Sequence, residues 1–510
     1  MRYKLLPKPI YHVLLIGLLL LYFIFWWFYK LDVLPGLHGD EAWVGLKAHE
    51  YQSQPLDRLS GMTYYTGVLQ SLTAEVSFKL FGLGVYQLRV PSSIINLIAL
   101  IIIVGTFLAY RFYWEAGYFL LILGASSLYL ISARIAWEVN TFTLFFIAIL
   151  LAPLLKLYQS DKRLNVFWVC LFWLTNIVGS YNHIIFSAIS VAFFLGMLWW
   201  GIQRGAFLDI KTLILAGINC LNVVIVYLIL RYDLNYFYLH IVNLPLYLGG
   251  LILLEYLAYY KLPHITIKTG FVTRRFNYLV ISLLFITFVY YHGKGFFDVL
   301  SSYKFIIQAY SYECSFIIQV IFLIGAALFC FVSAKVLLQD FTVKRGNNTI
   351  CAFVIVSYLG LLSLYTTKNS LRYYLVLYAV LCIYLAFKLN LKDKITKLFI
   401  GCQLVVIALI NIILLDIFIH CPVPVKAVDF EIGNSQKETS SAFLPKKPLI
   451  DFLKDNHISK IDYIDYPYFI EQPIKFYKLF SPWKESKKDS AAIGYDYSIY
   501  KNGYLLIKMR

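Results

Sequence analysis

IYHVLLIGLLLLYFIFWWFYKLDVLPGLHGDEA, residues 10–42, decides the fold. Residues 10–28 hold no Asp, Glu, Lys or Arg. A helix of about 20 apolar residues crosses the hydrocarbon core of a bilayer, so this run predicts a membrane span. Its far end is aromatic (Phe25, Trp26, Trp27, Phe28, Tyr29), as suits headgroup depth. Arg2, Lys4 and Lys8 precede it, and no small-residue cleavage site follows, so a retained signal anchor is expected. Two adjacent acids, Asp40 and Glu41, then stand in a loop that starts near Lys30. Ionised carboxylates at a membrane boundary are costly unless water, a cation or a substrate compensates them.

Outward from this stretch the pattern repeats. The 510 residues are 60% hydrophobic and 14% charged, against about 25% charged in a soluble protein. Thirteen apolar runs are read as spans, near 10–28, 88–110, 116–131, 138–157, 164–179, 183–201, 212–230, 237–260, 277–291, 314–338, 350–366, 371–388 and 398–419. They lack the alternation of a barrel, so the fold class is an all-α polytopic membrane protein. The net charge of +17 does not imply nucleic acid, because the basic residues fall in short loops between spans. With a cytoplasmic N-terminus, alternate loops collect Lys156, Lys162 and Arg163; Lys261, Lys268, Arg274 and Arg275; Lys388, Lys392, Lys394 and Lys397. These basic loops also suit contact with anionic membrane lipids. The eight cysteines show no metal-ligand spacing.

Two outer segments exceed a connector. Residues 30–87 are interrupted by charges and carry an apolar stripe (Val68, Leu72, Val76, Leu80) that predicts an amphipathic helix at the interface. The tail from about 420 mixes lysines with acids and holds Pro422, Pro424, Pro445 and Pro448. A helix is predicted over 447–456 and strands over 460–464 and 504–508. Domain 1–420 is therefore expected to span the membrane, and 421–510 to form a small outer α/β domain.

The outer loops gather the polar residues that can carry chemistry: Asp40 and Glu41, Arg58, Arg89, Arg134 and Glu138, Asn182 and His183, His292, Lys368 and Arg372. Asp40 or Glu41 can take a proton as a general base, or can cap a short helix. Arg372 and Lys368 can grip phosphate, the first as a fork and the second as a point charge, or can anchor at headgroup depth. Arg134 and Glu138, four apart, would face each other as an ion pair on one helix. Pro91, just after Arg89, suits the first turn of a helix. No cofactor is required by this set; a divalent cation on Glu41 and His38 is the metal reading.

Motif order then becomes informative. Gly39-Asp40-Glu41-Ala42 follows the first span. Phe78-Lys79-Leu80-Phe81-Gly82 precedes Leu88-Arg89-Val90-Pro91-Ser92-Ser93. Ser132-Ala133-Arg134 and Glu138 come next, and Asn369-Ser370-Leu371-Arg372-Tyr373-Tyr374 opens a late span. In this order the chain resembles the GT-C membrane glycosyltransferases, the branch of protein O-mannosyltransferase-like enzymes and the lipid A aminoarabinose transferase. Leu375-Val376-Leu377 departs from the family, which often has proline there.

The resemblance implies a polyprenyl-phosphate sugar donor, such as undecaprenyl phosphate, and transfer with inversion at the periplasmic face of a bacterial inner membrane. The acceptor would be lipid A, protein or glycan. Asp40 would be the base with Glu41 assisting; Arg372, Lys368, Arg58 and Arg134 would hold the lipid phosphate. Arg89, Glu138, His183 and His292 complete the candidates. Two rival readings stand beside it: a flippase or transporter of lipid-linked sugars, and an O-antigen polymerase-like enzyme.

Overall fold

The computed structural model describes residues 9–56, 58–159, 166–205, 207–232, 244–261, 266–268, 274–302, 306, 314–342, 350–363, 371–420, 425–427, 447–456, 458–464, 468–482, 486–495 and 505–509. The chain is a helical, multi-pass membrane protein. Among the described residues a helix stands in each expected apolar run, but thirteen full spans do not result. Among the described residues, six helices are long and apolar enough to cross: Tyr11–Phe28, Val85–Ala109, Leu213–Arg231, Leu279–Leu300, Phe316–Phe341 and Lys394–Ile419. Glu138–Pro153, Ile184–Gly196 and Cys351–Ser363 are apolar but shorter. The run at 116–131 shows one cause. It breaks into Tyr113–Gly124 and Ser127–Ser132, because Ser126 turns its hydroxyl to the Tyr129 amide and starts a new helix.

The first helix, α1 (Pro9–Phe28), explains its own two-sidedness. Phe23, Trp26 and Trp27 are buried in the bundle, while Leu14, Leu18 and Leu21 on its other side are exposed. Hydrocarbon is no worse a neighbour for leucine than protein is, so no polar face is needed. The loop after it folds as α2 (Gly39–Glu50) and α3 (Leu69–Phe81). On α3 the predicted stripe is exposed only in part: Val76 and Leu80 are exposed and Val68 is buried, while Ala74 and Phe78 are buried together with Gln70, Ser71 and Ser77. The exposed apolar pair suits a helix lying at a lipid surface.

The next helix, α4 (Val85–Ala109), begins earlier than expected, so Pro91 lies inside it rather than in its first turn. Proline has no N–H, which leaves the Gln87 carbonyl one turn back without its helical donor. Ser77 of α3 supplies one, its hydroxyl lying 2.6 Å from that oxygen. Further along, α4 meets the helix Glu138–Gln159 through small and polar groups: Ser92 pairs with Thr141 at 2.5 Å, and the Asn96 amide donates to the Asn140 carbonyl at 3.0 Å. Such pairs hold helices together where lipid gives no hydrophobic drive.

A self-standing α/β domain over 421–510 is not seen. The described tail does contain strands, in the spatial order Val425–Ala427, Leu505–Met509, Ser486–Tyr495, Ile458–Ile464, and helices Lys447–Asp455 and Tyr468–Phe480. The helices, however, bury their apolar faces in a core shared with the loop after the first span. Leu449, Ile450, Leu453, Ile474 and Phe476 pack with Leu37, Ala42, Val44, Ala74 and Phe78. Gly45 permits the approach: a Cβ there would collide with the Phe476 ring. The tail helices complete their core with α2 and α3.

Candidate functional site around Asp40 and Arg372

The two adjacent acids have different surroundings. His38 caps α2: its Nδ1 accepts the Asp40 amide at 3.0 Å, and Glu41 reaches back to the His38 amide at 3.1 Å. Glu41 is fully buried. Its oxygens accept from Arg89 Nε at 2.9 Å, Arg89 Nη2 at 2.7 Å and the Ala136 amide at 2.8 Å. Arg89, also fully buried, donates its remaining hydrogens to the carbonyls of Leu31 at 3.0 Å, Pro35 at 2.7 Å and Gly36 at 3.2 Å. This bidentate pair therefore clamps the loop that carries Asp40 onto the start of α4.

Asp40 is held more loosely. One oxygen, Oδ2, lies 3.2 Å from Arg372 Nη1, with the two side chains 15% and 14% exposed. The other oxygen has no hydrogen bond among the described residues, and neither has the buried Arg372 Nε. Arg372 comes from the 3-10 turn Leu371–Tyr374, 332 positions along the chain. Its guanidinium lies over the Trp137 ring at 4.4 Å and within 5.5 Å of the Tyr373 ring. Trp137 also packs edge-on against His38 at 4.6 Å.

His183 forms the third side. It lies between the helix Val166–Asn182 and the 3-10 turn Ile184–Phe186, outside both, bridged to Thr66. Its ring lies 5.4 Å from Tyr65 and 5.5 Å from Tyr373. Burial first, and the Arg372 charge second, push its pKa down to about 3. Burial, then the neighbouring Tyr373, likewise raises the Tyr65 phenol above its ordinary value. Both groups are therefore neutral at physiological pH, beside a charged pair.

The remaining candidates scatter. Arg58 stacks on Trp43, one turn along α2 from Asp40, at 5.4 Å, and its buried Nε has no partner among the described residues. His292 meets the Tyr374 hydroxyl at 3.0 Å, next in sequence to the Arg372–Tyr373 pair. Lys368 lies outside the described residues.

The expected Arg134–Glu138 helix pair does not form on one helix, since the chain leaves helix at Ser132 and re-enters at Glu138. Arg134 instead donates to the carbonyls of Trp26, Tyr29 (2.7 Å) and Leu34 (2.9 and 3.1 Å), where it caps the end of the first span. Glu138 is half-buried, and its carbonyl accepts from Asn182 Nδ2 at 2.9 Å.

Glu41 and His38 do not fit a cation. The Glu41 oxygens are engaged by Arg89, and the His38 Nδ1 lone pair is taken by an amide. Among the described residues no group of three or more His, Cys, Asp or Glu gathers as a metal site. The sequence reading missed Trp137 and Tyr65 as parts of the site; a tryptophan beside an Arg and a Glu in an outer loop was the available signal for the first.

Fold and site together define a multi-pass membrane protein with a carboxylate–guanidinium pair set among aromatic rings near one end of the bundle. Comparison with solved structures finds matches at low identity. ArnT from Cupriavidus metallidurans bound to undecaprenyl phosphate aligns over 95% of this chain and 92% of its own, at 15% identity and a TM-score of 0.35. The apo oligosaccharyltransferase of Archaeoglobus fulgidus aligns over 92% of this chain at 13% identity and a TM-score of 0.46. This chain spans 64% of that protein's length. No family model matches the chain, and no curated protein does. Likenesses this loose leave the chemistry to be read from this chain's own residues.

Proposed function

We propose that this protein is an integral membrane glycosyltransferase that moves a sugar from a polyprenyl-phosphate carrier to an acceptor hydroxyl. The observation that carries the reading is the half-made Asp40–Arg372 pair. One oxygen of the acid and one nitrogen of the guanidinium meet at 3.2 Å, while the Arg372 Nε and the second Asp40 oxygen are unengaged among the described residues. A structural ion pair looks different, as Arg89 and Glu41 show with two short bonds and no exposure.

In the proposed reaction Arg372 turns its open edge to the phosphate of the donor. Asp40 takes the proton of the acceptor O–H. The acceptor oxygen attacks the anomeric carbon from the face opposite the phosphate. The carbon–oxygen bond to the phosphate breaks, and its electron pair leaves on the phosphate oxygen, so polyprenyl phosphate departs and the configuration inverts. A fixed guanidinium in a partly dry site stabilises the leaving anion without reorganising. The apolar bundle surface would hold the prenyl chain. Arg58 is a second phosphate contact in this scheme, and Glu41, with Arg89, positions Asp40. The periplasmic face of a bacterial inner membrane is the proposed location, and lipid A, protein and glycan are the acceptor classes.

Asp40→Asn tests the base. It removes proton acceptance at constant shape, so transfer should fall by roughly 10²–10⁴ while the variant keeps its yield and melting temperature. Turnover near the parent's would overturn the assignment. Undecaprenyl phosphate, the lipid bound in the C. metallidurans structure, is the carrier to charge first. Mass spectrometry of envelope lipids and glycoproteins from cells with and without the gene should show one sugar mass lost. Labelled lipid moved across vesicles with no glycosidic bond made would favour the transporter.

A further inference from the structure

Asn182 and His183 are adjacent, and both are at least 98% buried. Each spends one polar atom on the fold. His183 Nδ1 accepts the Ile185 amide at 3.2 Å, which caps the 3-10 turn. A neutral imidazole that accepts at Nδ1 carries its proton on Nε2. Nε2–H is then a buried donor, and it has no hydrogen-bond partner among the described residues. Asn182 Nδ2 donates to the Glu138 carbonyl at 2.9 Å, which leaves Oδ1 as a buried acceptor without a partner there. An orphaned buried polar atom costs about 1–3 kcal/mol, so a ligand that completes both atoms is worth holding.

The place of the two atoms narrows that ligand. Asn182 abuts Glu138, next in sequence to the Trp137 ring on which Arg372 rests. His183 stands between Tyr65 and Tyr373. The place offers one donor and one acceptor, has the Tyr65 and Tyr373 rings beside it, and adjoins the pair assigned above to phosphate and base. A hydroxyl both accepts and donates, so sugar hydroxyls match the two kinds of open group.

We infer that Asn182 and His183 form a subsite that holds a hydroxyl group of the donor's sugar ring. This rests on the carrier-lipid reading of the site.

Two substitutions separate ligand binding from a fold role. His183→Asn keeps an acceptor for the Ile185 amide and removes the distal donor. His183→Gln places a donor near the Nε2 position and gives up the cap. Binding is measured on the purified full chain in nanodiscs, with bare undecaprenyl phosphate and with undecaprenyl phosphate carrying each of a panel of neutral hexoses. The parent should bind one sugar-bearing lipid about tenfold or more tighter than the bare lipid, the value of a satisfied buried hydrogen bond. His183→Asn should bind the bare lipid as the parent does and lose that preference. His183→Gln should keep it, with a lower melting temperature.

A preference that survives in His183→Asn overturns the subsite, as does a parent that binds the bare lipid and shows no preference across the panel. In both of those cases the carrier reading stands. A parent that binds none of the lipids overturns the carrier reading and the subsite with it.

Discussion

Asp40 and Glu41 are neighbours of the same charge, yet their geometry gives them opposite work. Glu41 lies with Arg89 in a dry pair that accepts and donates at every available position. Breaking one partner of a buried pair leaves an uncompensated charge and costs roughly 3–5 kcal/mol. Glu41→Gln and Arg89→Met should each lower the melting temperature and the yield of folded protein sharply, in contrast to Asp40→Asn. The double variant should recover part of the loss, because neither charge is then orphaned. A thermal-shift series on the four proteins checks this; stability unchanged in Glu41→Gln would refute the clamp. The sequence displayed both acids at the membrane edge but not which was satisfied, since that depends on an arginine 48 positions away. The same holds for Arg134. Its residue type suggested phosphate, and only the fold shows three backbone carbonyls already around it.

At the scale of elements, helix positions were legible because lipid imposes length and apolarity on every crossing helix. Ends and breaks were less so. Ser126 starts a helix inside a continuous apolar run, and Pro91 sits within one, each through a local hydrogen bond that hydropathy does not register. The Pro91 case carries a prediction. Ser77 of α3 serves the Gln87 carbonyl that proline leaves open, so α3 and α4 are tied where Arg89 enters. Ser77→Ala leaves that buried oxygen without a donor and should cost roughly 1–3 kcal/mol. Since Arg89 fixes the Asp40 loop, transfer should fall with it, and Ser77→Thr, which keeps the hydroxyl, should restore most of both. Melting temperature and transfer rate measured together decide the matter, and an unaffected Ser77→Ala would show that another donor, or water, satisfies Gln87.

For the whole molecule, the tail and the site belong to one end of the bundle. Phe476 packs against Gly45 of α2, less than two turns from Asp40. The helix Leu375–Lys388 starts beside Arg372 and ends near Asn390, about 20 Å away at 1.5 Å per residue. Lys388, Lys392, Lys394 and Lys397 cluster at that far end, as the positive-inside rule expects of a cytoplasmic loop. The tail composition suggested a separate domain because its mixed charges resemble a soluble protein's. Its amphipathic helices could not reveal that their partner was a loop 400 positions earlier. Lys475 and Asn390 are both exposed, so cysteines there report the two ends. In intact cells a membrane-impermeant maleimide should label Lys475→Cys above the parent chain and leave Asn390→Cys unlabelled until the cells are opened. The reverse pattern would place Asp40 on the cytoplasmic side and overturn the proposed periplasmic chemistry while leaving the one-ended site intact. Labelling of both in sealed cells would place Lys475 and Asn390 in one compartment and contradict the arrangement itself.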